Sequence, residues 1–295
     1  MKILKKKNNM YSTIFKTILL TLLTITLFNC NKDDDSMQPE QNIRLKTYAI
    51  NEYEYDFIYN DLGKITNFST PSGNHSIIYN EDGQIIQNGT ESYTYNSQGE
   101  ISKISSSTNN ITIVYNNKGL IATMVQDTGI HIFHTSFEYD SNDKLIETVL
   151  KGPPVTGYYR NKFVYDEKEN IVQRVFESGS GDGVNYSKKS TYNFVFDNKK
   201  NPNYNLLSKT GITDALTFIR IAYSGRSIEV SGILFYYNKN NLLSSQSVHS
   251  NGSSSSREYS YVYDKNDYPI SAELASINTT GESSTTYYKW TYETY

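Results

Sequence analysis

The side chains in this sequence that could do chemistry are four histidines, one cysteine, scattered carboxylates and 27 tyrosines. His131 and His134 stand closest, in "HIFH", but a three-residue offset on a strand sends two side chains to opposite faces. His75 and His249 are far from them in sequence, so no metal is assigned. "GSGDG" (Gly179–Gly183) has the composition of a phosphate or calcium loop, yet no helix signal follows it and further acidic ligands are missing. It reads as a turn. Many Asp and Glu residues sit at turn positions where a backbone role accounts for them. A carboxylate pair for glycoside hydrolysis is made in space and leaves no sequence signature. The sequence therefore assigns no catalytic residue and no cofactor. The tyrosines read first as the ladder of a large sheet. Their alternative use is a rigid, amphipathic contact surface for a glycan or a protein, with Tyr287, Tyr288, Trp290 and Tyr292 as candidate ligand-binding aromatics.

The elements that must carry these residues are written as a repeat. An aromatic is followed by Asn or Asp, two polar residues, Gly or a substitute, one variable residue, and an aliphatic. The copies run Tyr59–Ile65, Tyr79–Ile85, Tyr95–Ile101, Tyr115–Ile121, Tyr139–Leu145, Tyr165–Ile171 and Tyr237–Leu243, with degenerate copies from Phe196 and Tyr263. A decayed copy is expected around "IAYSGRSIEV". Flanking stretches such as "YEYDFIYN" alternate with period two and are rich in aromatics, which predicts strands. Asn60 opens a turn through its side chain, and Gly63 closes it in a left-handed conformation. Gly83, Gly99 and Gly119 take the same role, and Asp143, Asn241 and Asp267 are the best non-glycine substitutes. Glu169 and Lys200 do not fit, and their turns are expected to differ. In this geometry Asn60 faces Lys64 and Tyr59 faces Ile65, so the fixed six-residue step is one cross-strand pair, stabilising by roughly 0.2–1 kcal/mol.

The predicted fold is all-β: a long antiparallel meander of about 18–20 short strands from repeated hairpins, curled into a spiral or flattened barrel, because open twisted sheets rarely exceed about 10 strands. A two-sheet β-sandwich is the alternative. A transmembrane barrel needs strands of about 9–11 residues and an outward apolar band, whereas Thr94, Glu100 and Ser102 make the second face polar. The phrase resembles the YD repeat of the Rhs family, which carries "YDxxGRL"; "YDSNDKL" and "YDKNDYP" come close. No copy has the Arg, and Lys64, Gln84, Glu100 and Leu120 stand in its place. The sequence is also similar to small repeat lipoproteins of Bacteroidetes of unknown function, a resemblance that implies a curled, porin-like sheet and no activity.

Residues 1–29 combine Lys2, Lys5, Lys6 and Lys7 with the apolar run "TILLTLLTITLF", the layout of a secretory signal and too short to span a bilayer. Cys30 follows directly. "LFNC" resembles a lipobox, with Asn29 where Gly, Ala or Ser is usual, and "CNKDDD" (Lys32, Asp33, Asp34, Asp35) resembles the export tag of Bacteroidetes surface lipoproteins. The resemblance implies an acylated Cys30 in the outer membrane, exposed at the surface. Residues 30–44 read as a flexible acidic tether and 45–295 as the repeat domain. Within the tether "DSM" resembles an O-glycosylation signal. Residues 1–29 hold five Lys and no acid, leaving 23 basic and 31 acidic residues, a net charge of −8, which excludes nucleic acid as a partner. The expected function is a non-catalytic, membrane-anchored scaffold that binds an extracellular glycan or protein. The alternatives are a purely structural envelope protein and a glycan-processing enzyme. Cys30→Ser should release the protein into the medium or strand it as precursor; an unchanged membrane fraction would sink the anchor.

Overall fold

A computed structural model describes residues 43–153, 157–180, 186–204 and 238–295. Eighteen strands run through them: β1 (Ile43–Ile50), β2 (Tyr53–Tyr59), β3 (Ile65–Thr70), β4 (Gly73–Tyr79), β5 (Ile85–Asn88), β6 (Glu91–Tyr95), β7 (Ile101–Ser105), β8 (Asn110–Tyr115) and β9 (Ile121–Asp127), then β10 (Ile132–Tyr139), β11 (Leu145–Lys151), β12 (Tyr158–Tyr165), β13 (Ile171–Gly179), β14 (Tyr186–Phe196), β15 (Leu242–His249), β16 (Ser254–Tyr263), β17 (Pro269–Ile277) and β18 (Ser283–Thr294). Each pairs antiparallel with its neighbour in sequence, and β1 also pairs with β18. The meander therefore closes into a barrel. Among the described residues only Pro202 to Tyr204 are helical.

Local chemistry builds each hairpin. In the β2–β3 turn the Asn60 N–H donates to the Lys64 carbonyl at 2.9 Å, and the Gly63 N–H donates to the Asn60 carbonyl at 2.9 Å. The Asn60 side-chain oxygen accepts from the N–H groups of Leu62 and Lys64. The same pattern recurs around Asn96, Asn116, Asp140, Asp166 and Asp264. The aromatic and aliphatic ends pair as Tyr59 with Ile65, Tyr79 with Ile85, Tyr95 with Ile101 and Tyr115 with Ile121. Beside each such pair the register slips by one residue. That bulge, which the repeat phrase alone does not announce, delays the next inward position on the returning strand to the third residue. Ile65 is thus followed inward by Phe68, Ile101 by Ile104 and Ile121 by Met124. These face Phe57, Tyr93 and Ile113 across the ladder.

Closure reuses the same unit. Leu45 on β1 pairs with Tyr292 on β18, the register slips just beyond Leu45, and Tyr48 pairs with Trp290. The two chain ends thus make a ninth copy of the hairpin base with no connecting turn. Arg44 locks it, its Nε donating to Glu293 at 2.6 Å while the guanidinium lies over the rings of Tyr59 and Tyr295.

If circular, eighteen strands would enclose a space roughly 35 Å across. The inward side chains are nonetheless withdrawn from solvent all round: Ile65, Ile85, Ile121, Leu145, Ile171 and Leu242 are each at most 3 % exposed, and Trp290 is 3 % exposed. A buried polar row crosses this interior, Arg174 Nε donating to Asn161, and the Asn161 amide to Thr148. The Arg174 guanidinium also faces the rings of Phe176 and Tyr192, each 5.2 Å away. The outer wall is polar at mid-height, where Asp56, Ser76, Gln87, Lys103, Thr112, Ser136, Lys162, Asn193 and Lys289 are exposed. Its exposed aliphatics gather at the two ends of the strands: Ile58, Ile78, Ile86, Val114, Val164, Val195, Val262 and Ile270 beside the repeat turns, and Ile132, Val248 and Ile277 towards the opposite end. The polar mid-height between these two fringes differs from the continuous outward apolar band about 25 Å tall that a transmembrane barrel carries.

Three expectations are corrected. Glu169 does adopt the left-handed turn, with φ 70°, because the Asp166 turn forms as in the other repeats, the Glu169 N–H donating to the Asp166 carbonyl at 3.1 Å and the Asn170 N–H to the Asp166 side chain; Lys239 and Lys144 meet its carboxylate. Asn241 does not; it takes the place of the fourth residue after Asp197, donating to the Asp197 side chain at 3.0 Å. The Phe196 hairpin is therefore split at its tip. Its aromatic pairs with Leu242, so the copy assigned to Tyr237–Leu243 is in fact Phe196 to Leu242. The chain leaves this tip at Lys200, and Asn201 caps Pro202–Tyr204 by accepting from the Asn203 N–H. Tyr237 and "IAYSGRSIEV" lie outside the described residues, as do Gly181, Asp182 and Gly183 of "GSGDG".

Gly99 has φ 79°. Gly99→Val places a β-branched residue there and should lower stability by more than about 1 kcal/mol; an unshifted melting temperature refutes the turn geometry.

Candidate functional site

The repeat turns all lie at one end of the barrel, and the aromatic that opens each turn reaches back to the hairpin before it. The Tyr59 hydroxyl donates to the Leu45 carbonyl, Tyr79 to Ile65 at 2.7 Å, Tyr95 to Ile85 at 2.7 Å and Tyr115 to Ile101 at 2.8 Å. Tyr139 donates to Ile121 at 3.0 Å, Tyr165 to Leu145 at 2.7 Å and Tyr292 to Pro269 at 2.7 Å. This girdle is interrupted at Phe196, which has no hydroxyl, and at Tyr263, whose hydroxyl donates instead to the Asp197 carboxylate. Tyr261 takes over the Leu242 carbonyl at 3.1 Å. The interruption coincides with the split hairpin.

Inside this mouth is a recess of about 500 Å³. Tyr95, Tyr115, Tyr139 and Tyr165 line it together with Ile101, Ile121 and Leu145. The turns add Glu100, Gly119, Leu120, Asp143, Lys144 and Glu169, and the split hairpin adds Tyr204 and Lys239. Most of its charges are paired. Asp143 takes the Lys118 ammonium at 2.7 Å, and Glu169 takes Lys239 and, at 3.6 Å, Lys144. The hydrogen bond from Lys239 holds the Glu169 carboxyl below its usual range. Burial pushes the Tyr79 phenol up to about 12. It does the same for Tyr115, to about 12, with the Glu100 charge adding to the effect. Among the described residues, no group of three or more His, Cys, Asp or Glu side chains could hold a metal ion.

The aromatics singled out in the sequence fall elsewhere. Trp290 is buried, Tyr288 and Tyr292 are half-buried on the same inward face of β18, and Tyr287 alone is exposed, at 57 %. Tyr48 stacks on Tyr288 and tilts against Trp290, so these rings are core and form no shared platform. Gly63, Gly83, Gly99 and Gly119 have φ of 73°, 74°, 79° and 76° at the turn tips. His131 precedes β10, and His134 on it is exposed. Cys30, Lys32, Asp33, Asp34 and Asp35 lie outside the described residues. Sequence reasoning missed the recess residues Glu100, Leu120, Lys144 and Lys239. For Glu100, Leu120 and Lys144 the signal was the variable position after the left-handed residue, where the repeats differ in charge; Lys239, in the split hairpin, had none.

No protein-family model matches the chain, and no curated protein does. Solved structures show a loose likeness. A porin-like protein from Bacteroides uniformis aligns over 85 % of this chain and 95 % of its own at 14 % identity and a TM-score of 0.45. A second, from Bacteroides vulgatus, aligns over 86 % of this chain and 99 % of its own at 12 % identity and 0.45. The TcdB2–TccC3 structure aligns over 77 % of this chain and 14 % of its own at 12 % identity and 0.27. Likenesses this loose carry neither activity nor location to this chain.

The raised phenols give a pH dependence with a definite sign. Unfolded, they ionise near pH 10, but in the barrel Tyr79 and Tyr115 stay protonated to about 12. Their contribution is complete below pH 10 and is lost as pH rises towards 12. Melting temperature should be flat up to about pH 9 and fall steeply between pH 10 and 12, together with phenolate absorbance. Phenolate appearing near pH 10 with the fold intact would refute the girdle.

Proposed function

We propose that this chain is a non-catalytic outer-membrane lipoprotein, anchored through Cys30, whose water-borne barrel binds an extracellular glycan or protein in the recess at its repeat-turn mouth. The observation that carries the reading is the recess itself. It is a concave site with aromatic and aliphatic walls and a few convergent polar groups, the usual make-up of a binding pocket. The signal-like start, the export-tag resemblance and the polar outer wall support the location, since a barrel with that wall has no lipid-facing band and needs a separate anchor.

The carboxylates favour binding over hydrolysis. Asp143 and Glu169 are held by lysines, which leaves Glu100 without a second free carboxylate to complete an acid–base pair. The test is retention on arrays of extracellular glycans and proteins, comparing the wild-type chain with Leu120→Trp, which fills the recess. Retention should fall at least about tenfold in a variant that melts like wild type, the scale of a blocked contact. Equal retention by the two, or none by wild type, overturns the reading.

A further inference from the structure

The residue just before the aliphatic end of the repeat can lie against the next aromatic along the mouth, and it is a cation at Lys64 and Lys144 and, in the closing copy without a turn, at Arg44. The Arg44 guanidinium is 4.2 Å from the centre of the Tyr59 ring, the Lys64 ammonium 5.3 Å from Tyr79, and the Lys144 ammonium 5.7 Å from Tyr165. At Tyr263, Lys199 from the split hairpin comes to 6.0 Å. At that range an ammonium or guanidinium is attracted to the ring face. Two of these residues also bridge to the next turn. Lys64 Nζ donates to the Gly83 carbonyl at 2.5 Å, and Gln84 Nε2 donates to the Gly99 carbonyl at 3.2 Å.

At Tyr115 the slot is occupied by Glu100. Its Oε2 accepts from the Asn96 amide at 2.8 Å. Its Oε1 stands at the next glycine, 3.0 Å from where a Cβ on Gly119 would lie. A carboxylate has no hydrogen to give, so it cannot bridge to the Gly119 carbonyl as Lys64 and Gln84 bridge to theirs. Among the described residues no donor reaches Glu100 Oε1, which stands beside Gly119 in the slot at Tyr115. Among the described residues Glu100 makes no ion pair, unlike Asp143 and Glu169 beside it. The neighbouring slot, at Tyr139, holds Leu120, an apolar wall on which a methylene stem can lie. Both slots open into the recess.

We infer that the recess takes a lysine or arginine side chain of a protein partner, its cationic head seated over Tyr115 between the Glu100 carboxylate and the Gly119 carbonyl. The chain's own Arg44, Lys64 and Lys144 model the occupant. The inference rests on the recess being the binding site and names the group it recognises.

The test titrates the full chain with N-acetyl-lysinamide and N-acetylargininamide, using uncharged N-acetylnorleucinamide and the amino sugar glucosamine as comparisons, and follows the tyrosine ring signals by NMR. The two cationic probes should saturate the Tyr115 signals and weaken with added salt, and norleucinamide should bind at least about tenfold more weakly. Glu100→Gln, which copies Gln84, should fold normally and lose about tenfold in affinity for the cations. Glu100→Lys, which copies Lys64, should abolish binding and raise the melting temperature. Equal binding of norleucinamide, tighter binding of glucosamine, or unchanged affinity in Glu100→Gln overturns the inference. Array retention that Leu120→Trp abolishes but Glu100→Gln leaves intact would keep the recess as the site while rejecting its cation, so the two failures are distinguishable.

Discussion

The bond from each turn-opening tyrosine to the carbonyl of the hairpin before it is the interaction on which the rest of the barrel depends. A phenol ring at the inner mouth must be buried, and its hydroxyl must then find a partner, since an unmade hydrogen bond costs about 1–3 kcal/mol. The carbonyl that satisfies it is fixed on the preceding aliphatic, as in Tyr115 to Ile101. One side chain thereby spaces two hairpins. Repeated around the mouth, it carries the sheet through to its starting strand, where Tyr292 and Leu45 complete the circle across the chain ends. Closure removes the exposed edges that a long meander would otherwise present to other chains.

That circle is built inside out relative to a barrel that lives in lipid. Most aromatics point inward, and the mid-height of the outer wall carries residues such as Lys103, Thr112, Ser136, Lys162 and Lys289. The bulge beside each turn makes this possible on both strands of a hairpin. The opening strand keeps strict alternation, while the returning strand steps three residues, from Leu145 to Thr148 or from Ile171 to Arg174, to regain the inward face. Some of the polar side chains on that face join in the row Thr148, Asn161 and Arg174. Burial lowers the Arg174 guanidinium to about 10, still charged at neutral pH.

The proposed binding site lies where this regularity loosens. Phe196 cannot donate, the girdle is broken there, and the same hairpin is the one split to admit additional chain. Across the mouth, Glu100 and Leu120 occupy slots that other repeats fill with their own cations. A repeat architecture makes such departures informative, because each slot has several copies of itself for comparison.

Much of this was legible in the sequence. The hairpin is decided within seven consecutive residues: Asn or Asp opens the turn, a left-handed residue closes it, and the aromatic and aliphatic ends must pair. Strand number, antiparallel order and the all-β class follow from repetition of that local unit. Glu169 escaped because the bonds of the Asp166 turn impose the left-handed conformation on the residue that closes it, against that residue's own propensity. The pairing of Phe196 with Leu242 escaped because the intervening chain hides the phrase. The inward turn of Trp290, the joining of Leu45 to Tyr292 and the recess at Tyr115 were decided only by tertiary structure, since each depends on which strands meet after closure. A local motif specifies its own hydrogen bonds; which distant motif it meets is settled by the closing of the whole sheet.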